Sequence, residues 1–143
     1  IQTLEENTPT LTFNEIGRHI TQLAKVRVNK SHSPWLQGME GQEYWLPFSH
    51  GEGRFVANEV ELQKLITNGQ IGTQFVTLEG ELAAEMPYNP NGSTFAVEGI
   101  VSPCGKVYGR MGHPERFEEG LFKNIPNVSY MNIFKNAVKY FRD

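Results

Sequence analysis

The chain has one cysteine, Cys104, among its 143 residues. That excludes a disulfide framework and a cysteine zinc cluster, and it fits a reducing, cytoplasmic setting. No apolar run approaches the roughly 20 residues of a membrane helix, so no membrane partner is expected. The opening Ile1-Gln2-Thr3-Leu4-Glu5-Glu6 lacks the basic and apolar regions of a secretory signal. Lys and Arg number 13 against 16 Asp and Glu, giving a net charge of −3 with no basic stripe, so no nucleic-acid partner is expected. Repeats, low-complexity segments and linkers are absent, and the length implies one domain with a real core. The chain begins at Ile1 rather than Met, and a piece of a longer protein is expected.

What the chain does have is Gly112-His113-Pro114-Glu115-Arg116. In extended backbone, residues two apart face the same side. Pro114 restricts its own φ and pushes His113 toward β or polyproline geometry. His113 and Glu115 can therefore project together, with the carboxylate bonded to one ring nitrogen and the other nitrogen left as a proton acceptor. Such a pair is two thirds of a nucleophilic triad and lacks only a Ser or Cys. A solvated surface pair is the plain alternative. Position favours the first reading, since Val107 to Met111 has the pattern of a strand and sites in α/β folds lie past strand ends.

Residues 1–10 are polar and predict a lead-in loop. Thr12 to Lys30 is ambiguous. Phe13, Ile16, Ile20 and Leu23 have helical spacing, and Thr12 with Glu15 resembles a capping box. Ala24, Val26 and Val28 alternate with polar residues instead, and a strand over about 20–29 is preferred. Ser33-Pro34 predicts the cap and first residue of a short helix to Met39. Tyr44 to Phe48 predicts a strand containing Pro47. Ser49-His50-Gly51-Glu52-Gly53 is either a close approach of backbone to ligand or a plain glycine turn with charged decoration. Asn58 caps a predicted helix to about Asn68, stopped by Gly69, with Val60, Leu62, Leu65 and Ile66 as core contacts. A strand over Gly72–Leu78 and a turn at Glu79-Gly80 follow. Asn89-Pro90-Asn91-Gly92-Ser93 is a dense turn cluster, with a structural role by default. Phe95–Val101 and Lys106–Met111 form a predicted hairpin across Ser102-Pro103-Cys104-Gly105. A hairpin tip offers a thiol neither a helix N-terminus nor a strong cationic neighbour, so Cys104 is not expected to be a nucleophile. Phe117 to Val128 is a loop. Ser129 caps a last predicted helix whose stripe of Phe134, Ala137, Val138 and Phe141 should dock on the sheet. Helices interleaved with strands and a terminal hairpin indicate an α/β layered domain.

Ser49-His50-Gly51-Glu52-Gly53-Arg54-Phe55, Tyr88-Asn89-Pro90-Asn91-Gly92-Ser93, Glu98-Gly99-Ile100, Ser102-Pro103 and Gly109 to Arg116 occur in that order. Together they resemble the class I, triad-type glutamine amidotransferase domain of phosphoribosylformylglycinamidine synthase, a purine-biosynthetic ligase. Thr12 to Arg18 is similar to the segment that follows the nucleophile in that family, and the resemblance runs from about Thr10 to the last helix. It implies the C-terminal part of a flavodoxin-like fold, with a mixed sheet, flanking helices and a terminal β-hairpin. It also implies glutamine as substrate and a Cys-His-Glu triad: His113 the general acid/base, Glu115 its orienter. Ser49, His50 and Gly51 fall where related glutaminases hold the amino-acid end of glutamine. The ammonia would pass to a synthetase domain or subunit that uses ATP and magnesium. No cofactor is expected in this chain itself.

The family nucleophile sits in a Gly-x-Cys-x-Gly elbow, and this sequence has none. By the resemblance the elbow should lie upstream of Ile1, leaving the first strands of the sheet outside the chain and an edge or apolar face exposed. A non-catalytic binding or scaffolding domain of the same fold is the competing reading. A metal-dependent hydrolase using His50, Glu52, His113 and Glu115 has the residue types but no helical His-x-x-x-His spacing, and no metal is expected.

Overall fold

The structure is a computed structural model that describes residues 8–142. Seven strands and two helices follow in order: β1 (Thr10–Thr12), β2 (Ile20–Val28), β3 (Glu43–His50), β4 (Arg54–Val56), α1 (Glu59–Thr67), β5 (Ile71–Phe75), β6 (Val97–Val101), β7 (Tyr108–Arg110) and α2 (Ile133–Arg142). The main sheet has five strands in the order β3-β2-β5-β6-β7, and β1 pairs with β4 in a two-stranded ribbon. Every strand pairing among the described residues is antiparallel. The α/β architecture and its terminal hairpin are those the sequence predicts, whereas the sheet expected to be mixed is antiparallel throughout the described residues.

Alternation decides the long pair. β2 buries Ile20, Ala24, Val26 and Val28, and β3 buries Tyr44, Leu46 and Phe48. They pair from Ile20↔His50 to Arg27↔Glu43. Pro47 is tolerated because β3 is an edge strand, where a missing N–H costs the ladder little. Phe48 and Phe75 are both 0% exposed and pack in the core with ring centroids 5.1 Å apart and planes tilted by 54°. A smaller cluster of Phe55, Ile71 and Val97 lies under α1.

The sheet curls. After β7 the chain reaches the far edge, and the His113 N–H donates to Pro47 O of β3 at 3.0 Å. The segment that carries His113 thus spans from one edge strand of the sheet to the other.

Several expectations are corrected. The predicted loop over 1–10 ends in strand β1 at Thr10; residues 1–7 lie outside the described residues. No helix forms at Thr12–Glu15. Gly17 adopts φ +67 and closes a turn, its N–H donating to Asn14 O at 2.8 Å. The helix after Ser33 is a single 3-10 turn over Pro34–Leu36, and the Ser33 hydroxyl donates to Gly105 O rather than capping it. α1 starts as predicted, with the Asn58 side chain accepting from Glu61 N. It rides shallowly, however: Leu62 and Leu65 touch the small cluster, but Val60 and Ile66 are exposed.

Ser129 lies outside α2. That helix buries Ile133 and Ala137, while Phe134, Val138 and Phe141 of the predicted stripe stay exposed. It packs on the 3-10 turn instead of on the sheet. Asn136 donates to Trp35 O and Gln37 O, and Phe141 meets the edge of Trp35 at 6.3 Å. The apolar stripe is wider than the surface available to cover it.

Candidate active site

β7 ends at Arg110, and the backbone then turns through Met111 and Gly112 to His113. His113 Nδ1 lies 2.7 Å from Glu115 Oε1. A carboxylate only accepts, so the ring proton of a neutral His113 resides on Nδ1 and Nε2 carries the lone pair. The pair is reachable, with side chains 30% and 51% exposed. Partial burial would raise the Glu115 pKa. Its own backbone N–H, the His113 ring and the Arg116 guanidinium outweigh that, and hold the carboxyl below its ordinary range. Arg116 Nε is 4.0 Å from the same oxygen.

The 49–53 segment is brought to the same edge by β3, whose last residues are Ser49 and His50. His50 does not swing freely. Its Nδ1 meets Asn14 Oδ1 at 3.0 Å, and its carbonyl accepts from Asn14 Nδ2 at 2.7 Å. The ring packs over Gly53, where a Cβ would lie 2.5 Å from His50 Cε1. Any larger residue there would displace the ring, which is why Gly53 is required. Burial holds the His50 pKa below its ordinary value, and the nearby rings of His19 and His113 act in the same direction. The neutral ring is thereby favoured, and its buried Nε2 has no hydrogen-bond partner among the described residues. Ser49 and Gly51 flank it, both partly exposed.

The Asn89–Ser93 cluster is the brace for this turn. Asn89, Asn91 and Ser93 are all buried. Asn91 Nδ2 donates to Gly53 O at 2.6 Å, the Phe55 N–H donates to Ser93 Oγ at 3.0 Å, and Arg54 Nε donates to Gly92 O at 3.1 Å. Gly92 has φ +74 and faces the Glu15 side chain, so only glycine suits it. The cluster engages its polar groups internally, in agreement with a structural role.

Beneath His113 lies a buried ion pair that sequence reasoning passed over. Glu98 is 0% exposed and bonds Arg110 through both oxygens, at 3.2 and 2.9 Å. Burial alone would lower the Arg110 pKa; the Glu98 carboxylate and Tyr108 reverse this and hold it above its ordinary value. The signal available was a carboxylate inside the apolar run Val97–Val101, because charges are rarely fully buried without a partner. Asn14 was likewise missed, and nothing in its local sequence marks it.

Cys104 lies at the exposed tip of the β6–β7 hairpin, at the other end of β7 from His113. The Ser102 hydroxyl 3.3 Å away lowers its thiol pKa, with the Lys106 backbone contributing. Among the described residues no three His, Cys, Asp or Glu side chains gather as a metal site would need. None of the described helices is long and apolar enough to cross a membrane.

The sequence profile of the CobB/CobQ-like glutamine amidotransferase domain matches residues 1–141. A phosphoribosylformylglycinamidine synthase subunit PurQ from Salinibacter ruber is 38% identical over 113 residues, covering 78% of this chain and 47% of that protein. The protein of the same name from Synechocystis is 39% identical over 99 residues, covering 68% and 43%. The solved structure of PurLQS from Thermotoga maritima contains a chain that matches with a TM-score of 0.68 at 23% identity, over 94% of this chain and 53% of that one. The chain thus spans about half the length of the relatives it matches.

Proposed function

This chain belongs to the CobB/CobQ-like glutamine amidotransferase family, and from that premise we propose that it is the C-terminal part of a glutaminase domain that supplies ammonia to phosphoribosylformylglycinamidine synthase. The observation that carries the reading is the 2.7 Å contact of His113 Nδ1 with Glu115, which leaves Nε2 as a proton acceptor. The names of the PurQ relatives supply the pathway.

In this reading His113 Nε2 takes the proton of a cysteine thiol contributed from outside this sequence. The thiolate attacks the side-chain amide carbon of glutamine, and His113 returns the proton to the departing ammonia. His113 then activates the water that cleaves the thioester to glutamate. Glu115 holds the tautomer and stabilises the imidazolium. Ser49, His50 and Gly51 would hold the amino-acid end of glutamine. Asn14 Oδ1 keeps His50 turned in with the ring proton on Nδ1, so the Nε2 of the neutral ring can only accept a hydrogen bond. ATP and magnesium would act in the synthetase, and no residue of this chain is assigned to them.

His113→Ala in the full-length protein should abolish synthesis from glutamine, since a positioned acid/base is worth on the order of 10²–10⁴ in rate. Glu115→Gln should impair it strongly, and synthesis from added ammonium should survive both changes. A parallel fall of the ammonium-dependent rate would make the two residues structural and the triad assignment wrong. One observation favours the second reading, a non-catalytic domain of the same fold: the only cysteine is Cys104 at a hairpin tip. Glutamine hydrolysis by a full-length protein carrying Cys104→Ala would eliminate both that reading and Cys104 as the nucleophile.

A further inference from the structure

We propose that Glu98 is a positioning residue for His113, acting through the backbone of Gly112. The proposal rests on the reading of His113 as the proton carrier.

Glu98 Oε1 accepts the Gly112 N–H at 2.7 Å, one residue before His113. The same oxygen accepts from Arg110 Nε at 3.2 Å, while Oε2 accepts from Arg110 Nη2 at 2.9 Å and from the Thr73 hydroxyl. Both oxygens are thus fully engaged. Arg110 is fixed in turn. It donates to Met131 Sδ at 2.9 Å and lies over the Tyr108 ring at 5.4 Å, and the Tyr108 hydroxyl meets Thr73 Oγ1 at 2.7 Å. The carboxylate cannot drift without breaking this set.

Gly112 cannot drift either. A Cβ there would lie 2.8 Å from Phe48 Cζ, 3.0 Å from Glu98 Oε1 and 3.2 Å from Leu46 Cδ1. The chain is held between Glu98 on β6 and the core side chains of β3. The next N–H, of His113, bonds to Pro47 O on β3 at 3.0 Å. Two consecutive peptide N–H groups are therefore tied to elements from different parts of the curled sheet. Together they set the direction in which the His113 side chain leaves the backbone, and Glu115 then sets its ring. A charge-assisted bond is shorter and stronger than a neutral one. That is what a carboxylate adds here over an amide or a carbonyl.

The test uses the full-length protein. Glu98→Leu with Arg110→Met removes the anchor without leaving a buried charge unpaired. Glu98→Asp keeps the charge and its arginine but withdraws the carboxylate from Gly112 by one methylene. Both should lower kcat with glutamine by on the order of 10²-fold, the cost of a small misplacement at the reacting group. KM for glutamine and the ammonium-dependent rate should stay at wild-type values. In a His113→Ala background neither change should cost anything further, because the anchor acts only through His113. A folded variant that retains the wild-type glutamine kcat overturns the proposal. So does a set in which every loss of rate follows a loss of folded protein, since Glu98 would then be a folding residue only. If His113→Ala itself leaves the glutamine rate intact, the failure belongs to the triad reading and not to the anchor alone.

Discussion

Asn14→Ala should cost this fold more than its place in a turn suggests. The side chain is 2% exposed. Its Nδ2 donates to Arg18 O at 2.9 Å and to His50 O at 2.7 Å, and its Oδ1 faces His50 Nδ1 at 3.0 Å and the Gly53 N–H at 3.4 Å. Alanine removes all of these at once. Each buried group left without a partner costs about 1–3 kcal/mol. The Arg18 carbonyl belongs to an exposed turn and regains water, and a water admitted to the vacated space would serve part of the rest. The net loss should be about 3 kcal/mol, a large share of a total of roughly 5–15 kcal/mol. In a chain of this size that is a fall of about 6–12 °C in Tm.

Asn14→Asp separates the two halves of the contact. It keeps the acceptor toward His50 and Gly53 but turns an oxygen against two carbonyls. The new carboxylate would raise the folded-state pKa of His50. A raised pKa contributes stability below the unfolded value that is lost as pH rises through the folded one. Asn14→Asp should therefore unfold at higher urea than Asn14→Ala at pH 5.5, with the advantage shrinking at pH 8. Urea unfolding followed by circular dichroism at the two pH values reads this out. An Asn14→Ala loss below about 0.5 kcal/mol, the range of an ordinary surface substitution, would refute the reasoning, as would Asn14→Asp matching the wild type at pH 8.

Two further outcomes are expected. Gly112→Ala must push against Phe48 and Glu98, so it should destabilise by about 1–3 kcal/mol, as overpacking does, and it should depress glutamine-dependent synthesis more than ammonium-dependent synthesis; equal effects would count against the link to His113. Because burial keeps the folded-state His50 pKa below the ordinary 6.5, the unfolded chain takes up its proton first, and stability should decline as pH falls below 6.5 until the folded pKa is passed; a urea midpoint as pH-dependent in His50→Gln as in the wild type would assign that slope to other groups.

Local pattern carried the elements whose burial is one-sided and regular. β2 and β3 follow their alternation, α1 follows its Asn58 cap, and the β6–β7 turn follows Pro103 and Gly105, whose φ is +73. β1 and β4 escaped because three residues hold too little periodicity to register, and each is a strand only through the other. Helical spacing at Phe13 and Ile16 competed with the strand pattern that follows it, but both residues are exposed and Gly17 ends any helix before it nucleates. The stripe on α2 was legible as a pattern, but how much of it is covered depends on neighbours that no local window contains.

The candidate site divides along the same line. His113 and Glu115 were legible because they are two residues apart and the proline between them restricts the geometry. Their supports come from distant parts of the chain. Glu98 meets the Gly112 N–H across the β6–β7 pair, Pro47 meets the His113 N–H only because the sheet curls, and Asn14 reaches His50 across 36 residues. Spacing cannot reveal such contacts. The cost of burial can, because a buried carboxylate or a buried amide in a small domain must be paired. A charged residue within an apolar strand therefore demands a partner somewhere else in the chain. For Glu98 that partner is Arg110, with the Gly112 N–H as the third member. The residues that aim the histidine were thus marked by the cost of burying them, whereas the histidine itself was marked by its neighbours in sequence.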